Sequence, residues 1–121
     1  MGDSIKKFIE LSSYESNPYG DIKIEKTVAE KRKGIPVFSG VLNYFPNAIK
    51  AVAECSRVGN EQHNAGKPLH WDRSKSGDEL DALTRHLIDH SVNPIDTDGM
   101  LHLAKVCWRS LAALEKELEK L

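Results

Sequence analysis

One polar stretch, residues 59–90, holds side chains that could bind a metal ion and a phosphorylated ligand. It reads GNEQHNAGKPLHWDRSKSGDELDALTRHLIDH and combines histidines, cations, carboxylates and a Trp, with almost no aliphatic residue before Leu80. Carboxylate oxygens are the preferred ligands of Mg²⁺, and Lys and Arg side chains neutralise phosphate oxygens. The stretch therefore indicates metal-assisted chemistry on a phosphate.

Asp78 and Asp81 are the first pair of candidate metal ligands. They lie three residues apart on one face of a predicted helix, so both could hold a divalent ion if that face borders a cleft between helices. Three apolar side chains occupy the opposite face, namely Leu80, Leu83 and Leu87. If the charged face points to water instead, the two acids are merely solvated.

The preceding predicted helix carries a second pair, Glu54 and Glu61. These acids lie two turns apart, about 10 Å along the axis, so one ion could take both only if the helix ends or distorts between them. Glu61 is the favoured ligand because it lies nearest the helix end and the polar loop. The alternative for either acid is a surface ion pair with Arg57 or Lys50.

The loop between these two helices carries the cations Lys67, Arg73 and Lys75 together with Trp71. Cations just before a helix N-terminus can hold phosphates, and an indole can stack on a base. The alternatives are a solvated loop, or a Trp71 that packs under the loop as its anchor. The candidate nucleotide-binding set is completed by Asn60, His63, Asn64, Arg85 and His86.

Several other polar residues allow two interpretations. His63 could cap the first predicted helix or contact a base edge, and His86 and His102 could be hydrogen-bonded core residues or ligand contacts. Asp96 and Asp98 are expected to cap the third predicted helix, although Asp98 could also reach the metal ion. No Ser or Cys lies in a recognisable nucleophile motif, and there is no glycine-rich phosphate loop. Carboxylates, a metal ion and water remain, which favours hydrolysis of a phosphoanhydride.

Three predicted helices position these side chains. Apolar residues spaced three and four apart predict helices over about 46–63, from 76 or 77 to about 90, and from about 99 to the C-terminus. Residues 1–40 are less regular, and we expect a short helix after Ser4 and a strand or extended arm over residues 21–28. The expected fold is all-α, a small helical bundle over residues 41–121 with residues 1–40 as an N-terminal arm. Because three helices give a thin core, we expect a homodimer or homotetramer.

Composition excludes several classes of partner. A net charge of -1 provides no polycationic face for nucleic acid or for anionic lipid. No apolar run approaches the ~20 residues that span a bilayer, and the N-terminus lacks the apolar region of a signal peptide. Cys55 and Cys107 each lie in an apolar helical pattern and are expected to be reduced thiols. We therefore expect a cytoplasmic protein.

Residues 59–90, followed by DGMLHLAKVCWRSLAALE, resemble the phage dATP/dGTP diphosphohydrolase family. This is a small all-α group similar to the MazG-type nucleotide pyrophosphatases, and the resemblance covers about residues 34–115. It implies a Mg²⁺-dependent enzyme, with Mn²⁺ as a substitute, that converts dGTP and also dATP to the monophosphate and pyrophosphate. In a phage with 2-aminoadenine DNA, this activity implies a supply of dGMP for the modified base, within the host cytoplasm.

The MazG-like pattern places Glu-x-x-Glu on one helix and Glu-x-x-Asp on the next. Asp78-Glu79-Leu80-Asp81 matches the second element with Asp in place of Glu, whereas Glu54 and Glu61 lack the second acid of the first element. We therefore interpret Glu54, Glu61, Asp78 and Asp81 as the metal ligands and, among them, Glu61 and Asp81 as catalytic. The alternatives are a nucleotide-binding protein without catalysis and a helical interaction protein.

Overall fold

A computed structural model describes residues 14–15 and 24–121. The short helix expected after Ser4 lies outside the described residues. Within them, strand β1 (Tyr14–Glu15) pairs antiparallel with strand β2 (Ile24–Glu25), with Tyr14 opposite Glu25. The second strand falls within residues 21–28, where a strand or extended arm is predicted.

A short helix that the sequence analysis did not identify follows the strand pair. Helix α1 (Val28–Lys33) begins after Thr27, whose Oγ1 accepts a hydrogen bond from the Glu30 amide at 3.1 Å. A hydroxyl cap satisfies one of the amides that a helix leaves unpaired at its start. A π-helical turn (Phe38–Leu42) comes next in the chain.

Residues 45–119 form one compact unit with three long helices, α2 (Pro46–His63), α3 (Glu79–Val92) and α4 (His102–Glu119). The predicted bounds of the first of these helices are confirmed, with Pro46 in the first turn where its missing N–H is not needed. Helices α3 and α4 begin later than predicted, because turns occupy the residues that precede them. A 3₁₀ turn spans Arg73–Lys75, and Gly99 takes a φ of 82°.

Helix α4 packs against both α2 and α3. Among the described residues, the buried apolar side chains are Ala82, Ala104 and Ala112. Small side chains allow close approach of the helices, but they remove little apolar area from water. The fold is an all-α small bundle, as predicted, and its core is thin.

Large apolar side chains of α3 and α4 remain in contact with solvent. Leu80 is 68% exposed, and Leu111 and Leu114 are each more than half exposed. Among the described residues, no helix combines the length and apolar character that crossing a membrane requires.

Candidate functional site

A cavity of about 1050 Å³ lies between α2, the loop before α3, and α4. Its size is in the range of small-molecule sites. Nine residues were predicted to bind a nucleotide, and the six that line this cavity are Asn60, His63, Asn64, Trp71, Lys75 and His86. Helix α4 completes the wall with side chains between Lys105 and Leu118, among them Trp108 and Arg109.

Two indole rings meet in the cavity wall. The Trp71 ring lies edge-on to the Trp108 ring, with 5.8 Å between centroids and 79° between planes. The Arg73 guanidinium lies 4.2 Å from the centroid of the Trp71 ring, and Trp108 Nε1 donates to Ser56 Oγ at 2.7 Å. Such edge-to-face and cation–π contacts are each worth about 0.5–1.5 kcal/mol. Trp71 therefore anchors the loop against α4, which is the packing role considered for it above.

Three buried polar atoms of cavity-lining residues have no hydrogen-bond partner within the described part of the chain. They are Asn60 Oδ1, Trp71 Nε1 and Ser76 Oγ. The Asn60 amide is held in place because its Nδ2 donates to the Lys67 carbonyl oxygen at 3.0 Å. An unpaired buried polar group costs about 1–3 kcal/mol. An acceptor, an indole donor and a hydroxyl are thus available to a polar ligand.

Sequence reasoning identified Asn60 and Trp71 but not Ser76, which had been considered only as the start of a helix. Its side chain is buried at the end of the 3₁₀ turn, where Asp72 Oδ1 accepts from both the Ser74 amide and the Ser74 hydroxyl. The hydroxyl of Ser74 is the main cause of the lowered pKa of Asp72. An Asp followed two residues later by Ser is a turn signal that could have located this bend.

The two acids of α2 form a surface ion-pair cluster. Arg57 Nη1 lies 2.8 Å from Glu61 Oε1, and Arg57 Nη2 pairs with Glu54. All three side chains are at least half exposed. In this chain the acids thus adopt the ion pair that the sequence analysis gave as the alternative to metal binding.

Asp78, which directly precedes α3, and Asp81, in its first turn, are both exposed. Arg85 Nη2 donates to Asp78 Oδ2 at 3.1 Å, and this hydrogen bond is the main cause of the lowered pKa of Asp78. Arg109 Nη1 lies 3.9 Å from Asp78 Oδ1. Asp81 is exposed, and within the described residues its carboxylate makes no hydrogen bond or ion pair.

The four predicted metal ligands are not brought together within one chain. None of them lines the cavity, and helices α2 and α3 make few contacts with each other. Among the described residues, no group of three ligand side chains within 4.8 Å of one another includes any of the four. Three predicted phosphate-binding cations also lie outside the cavity lining, namely Lys67, Arg73 and Arg85.

A part-buried charge cluster in the α3–α4 loop was not predicted. Lys105 Nζ donates to Asp96 Oδ2 at 2.6 Å and to Asp98 Oδ2 at 2.7 Å. The hydrogen bond from Lys105 is the main cause of the lowered pKa of Asp98, which falls to about 2. Burial alone would lower the pKa of Lys105, but its bonds to both carboxylates raise it. Gln62 Nε2 also donates to Asp98 Oδ2 at 3.1 Å and so ties α2 to the loop.

The expectation that Asp96 and Asp98 cap the third helix is wrong. Their Oδ1 atoms accept from the amides of Thr97 and Met100, both of which precede α4. The positive φ of Gly99 and the bridge between Ile95 and Leu101 hold these residues in a turn. The carboxylates consequently cap the turn and bind Lys105.

Two histidines meet where α3 contacts the start of α4. His86 Nδ1 lies 3.0 Å from His102 Nδ1, and the side chain of His102 is only 6% exposed. Burial is the main cause of the lowered pKa of His86, and the Lys105 charge lowers it further. Asp96 Oδ2 lies 3.9 Å from His86 Nδ1 and 3.8 Å from His102 Nδ1. The two rings form the hydrogen-bonded pair, and because His86 also lines the cavity, its predicted contact with a nucleotide stays a prediction.

A protein-family model matches most of the chain. The family description is "dATP/dGTP diphosphohydrolase, N-terminal", and the match covers residues 25–121. No curated protein and no solved structure matches the chain. The matched range contains α1 to α4 and every residue that lines the cavity.

Proposed function

Since the chain belongs to the dATP/dGTP diphosphohydrolase family, we propose that it hydrolyses dGTP, and also dATP, with Mg²⁺ as cofactor. Water adds to the α-phosphorus, and the bond from that phosphorus to the oxygen bridging it to the β-phosphorus breaks. The products are the deoxynucleoside monophosphate and pyrophosphate. In a phage that uses 2-aminoadenine, this reaction would supply dGMP for the modified nucleotide.

The unpaired polar atoms of the cavity carry the proposal for the nucleotide site. Asn60 Oδ1 can accept from an amino or imino group of a base, while Trp71 Nε1 and Ser76 Oγ can donate to ring nitrogens or a carbonyl oxygen. A purine that pairs these atoms would remove the cost of burying them unpaired. His63 and Asn64 lie in the same wall and are proposed to contact the base or sugar.

The triphosphate is proposed to lie toward the basic side of this cavity. Lys75 lines it directly, whereas Arg73 is bound to Glu119 at 2.9 Å and Arg85 to Asp78 at 3.1 Å. These are exposed ion pairs, each worth about 0–1 kcal/mol. A triphosphate with several negative charges can therefore displace the carboxylates at little cost, and Lys67 is proposed to add a further positive charge.

The α3 carboxylates suit Mg²⁺, which prefers oxygen ligands. Asp78 is held ionised by Arg85, and the Asp81 carboxylate is exposed and unpaired within the described residues. We assign both as ligands, together with Glu61 or Glu54, and Glu61 and Asp81 as the acids that orient the attacking water. When bound, the metal ion supplies charge neutralisation of the triphosphate and a lowered pKa for that water. Mn²⁺ is expected to substitute.

A second copy of the chain is proposed to complete the site. The α2 acids and the α3 acids are separate within one chain, and the buried apolar side chains are three alanines. Leu80, Leu87 and Ile88 leave apolar area on α3, outside the cavity lining, that a homodimer or homotetramer would cover. Such assembly would add apolar burial and would bring acids of one copy near those of another.

Incubation of the protein with dGTP and Mg²⁺, followed by ion-exchange separation of the products, tests the proposal. We expect dGMP and pyrophosphate in equal amounts, and loss of turnover without loss of dGTP binding in Asp81→Asn. Glu30→Gln removes an exposed carboxylate of α1 and is the matched control. Orthophosphate as a product would refute the reaction. Tight dGTP binding without turnover would indicate a nucleotide sensor, and no thermal shift with nucleotide and Mg²⁺ would indicate a helical interaction protein.

A further inference from the structure

Two histidines and an aspartate form a cluster apart from the carboxylates assigned to Mg²⁺. His86 and Asp89 lie three residues apart on one face of α3, and His102 is the first residue of α4. Each offers one ligand atom, and these atoms all lie within 4.8 Å of one another. Two imidazoles and one carboxylate are a common ligand set for divalent transition metals.

The spacing of the two rings matches that of two ligands on one ion. Metal–nitrogen bonds of about 2.1 Å place the two nitrogens about 3.0 Å apart at right angles and about 3.4 Å apart at the tetrahedral angle of zinc sites, so Zn²⁺ requires the rings to separate by about 0.4 Å. The observed distance between His86 Nδ1 and His102 Nδ1 is 3.0 Å. Without a metal, one ring must accept a hydrogen bond from the other, whereas an ion uses both lone pairs at once.

We propose that His86, Asp89 and His102 bind one divalent transition-metal ion, such as Zn²⁺, that links α3 to the start of α4. Mg²⁺ disfavours imidazole ligands, so this site differs in metal preference from the all-carboxylate site. The inference does not depend on the proposed hydrolysis, because it rests on the geometry of these three side chains.

Charge around the cluster also favours a cation. The Asp89 carboxylate makes no hydrogen bond or ion pair within the described residues. Asp96 Oδ2 lies within 3.9 Å of both imidazoles. Lys105 and Arg109 are the opposing charges near His86, and Lys105 is bound to Asp96 and Asp98 together. Two carboxylates against these two cations leave the group neutral, and Asp89 makes it negative.

A backbone hydrogen bond and burial hold His102, at the start of α4, in place for metal binding. The His102 amide donates to the Pro94 carbonyl oxygen at 3.0 Å, and its ring is almost fully buried. Asp89 is exposed, so its carboxylate can rotate toward an ion without disturbing the core. Binding therefore needs movement of an exposed side chain and little movement of the helices.

Calorimetric titration of the chelator-treated, full-length protein with Zn²⁺, in excess Mg²⁺ and without nucleotide, tests the site. We expect one Zn²⁺ per chain. His86→Gln and Asp89→Asn should each weaken binding at least about tenfold, since a ligand loss should cost no less than loss of an outer-shell partner. His90→Gln, which removes the neighbouring histidine outside the cluster, should bind as the parent does.

Equal Zn²⁺ affinity in the parent, His86→Gln and Asp89→Asn would overturn the proposal, as would no binding by the parent. Visible absorption of bound Co²⁺ gives a second measurement, because its spectrum reports nitrogen ligation directly. We expect His86→Gln to change that spectrum and His90→Gln to leave it unchanged. Asp89 is exposed, so Asp89→Asn should fold. Its Zn²⁺ affinity tests the site even if a histidine variant fails to fold. Hydrolysis is not measured, so failure of the proposed reaction would leave this result interpretable.

Discussion

Replacing Lys105 with Met should destabilise the protein by about 2 kcal/mol. The Lys105 ammonium lies 2.6 Å from Asp96 and 2.7 Å from Asp98, and all three side chains are 18–19% exposed. Removing one partner of a fully buried ion pair costs about 3–5 kcal/mol, whereas an exposed pair is worth about 0–1 kcal/mol. The cluster is intermediate in burial, and the substitution leaves two carboxylates without their shared cation. We therefore expect a loss of unfolding free energy between those two ranges. Met retains most of the aliphatic stem, so packing is largely preserved.

Urea denaturation at fixed protein concentration, followed by circular dichroism, measures this change in the free energy of unfolding. Lys50→Met is the control, because Lys50 is exposed on α2 and its loss should change stability by less than about 0.5 kcal/mol. A Lys105→Met variant as stable as Lys50→Met would refute the assigned cluster.

The difference in unfolding free energy between the parent and Lys105→Met should depend on pH. The pKa of Asp98 is lowered to about 2 in the folded protein, against about 3.9 for an unperturbed Asp. The ionised Asp98 contributes its full stabilisation above its unperturbed pKa. This stabilisation is lost as the pH falls through the pKa of Asp98 in the folded protein. The difference between parent and Lys105→Met should therefore be largest above about pH 4 and shrink toward about pH 2. A difference that grows with acid would contradict the ion-pair account.

Three further predictions concern the cavity and α2. Trp71→Phe should raise the KM for dGTP up to about tenfold in steady-state kinetics, because Phe keeps a ring packed against Trp108 but removes the Nε1 donor proposed to bind the base, and a hydrogen bond is worth about 0.5–1.5 kcal/mol. Burial raises the pKa of the Cys55 thiol, so mass spectrometry should find it alkylated by iodoacetamide at pH 8 more slowly than the exposed Cys107. In urea denaturation, Arg57→Ala should change the free energy of unfolding by less than about 1 kcal/mol, because the ion pairs of Arg57 with Glu54 and Glu61 are exposed.

The helices of the bundle could be predicted because their signals are local. Apolar spacing and Pro46 fixed the range of α2, and the same spacing identified α3 and α4. Their starts were less accurate, since the turns around Ser74 and Gly99 depend on side-chain hydrogen bonds and a positive φ. Helix α1 was missed because six residues give too few periods for a pattern.

Contacts between distant parts of the chain could not be predicted in the same way. The pairing of His86 with His102, and of Trp71 with Trp108, depends on how α4 packs against the rest of the unit. Periodicity places a residue on a face of its own helix but does not identify the residue opposite. Ser76 was missed because no pattern in a polar loop indicates which hydroxyl is buried.

The chemistry of Glu54 and Glu61 illustrates a further limit. Their spacing around Arg57 is compatible both with an ion pair and with metal ligation, and the single chain adopts the ion pair. Ligation would require a metal ion and acids from other parts of the protein. The sequence alone does not show which acids come together in the folded protein. The family assignment, in contrast, follows from the motif-rich stretch and is confirmed by the match over residues 25–121.

Hydrolysis of dGTP in ¹⁸O-labelled water tests the central claim most directly. Attack of water on the α-phosphorus predicts that, with Mg²⁺ present, mass spectrometry finds the label in dGMP and none in pyrophosphate. Label in pyrophosphate would place the attack on the β-phosphorus, and labelled orthophosphate would place it on the γ-phosphorus. Either result, or the absence of turnover, would contradict the account.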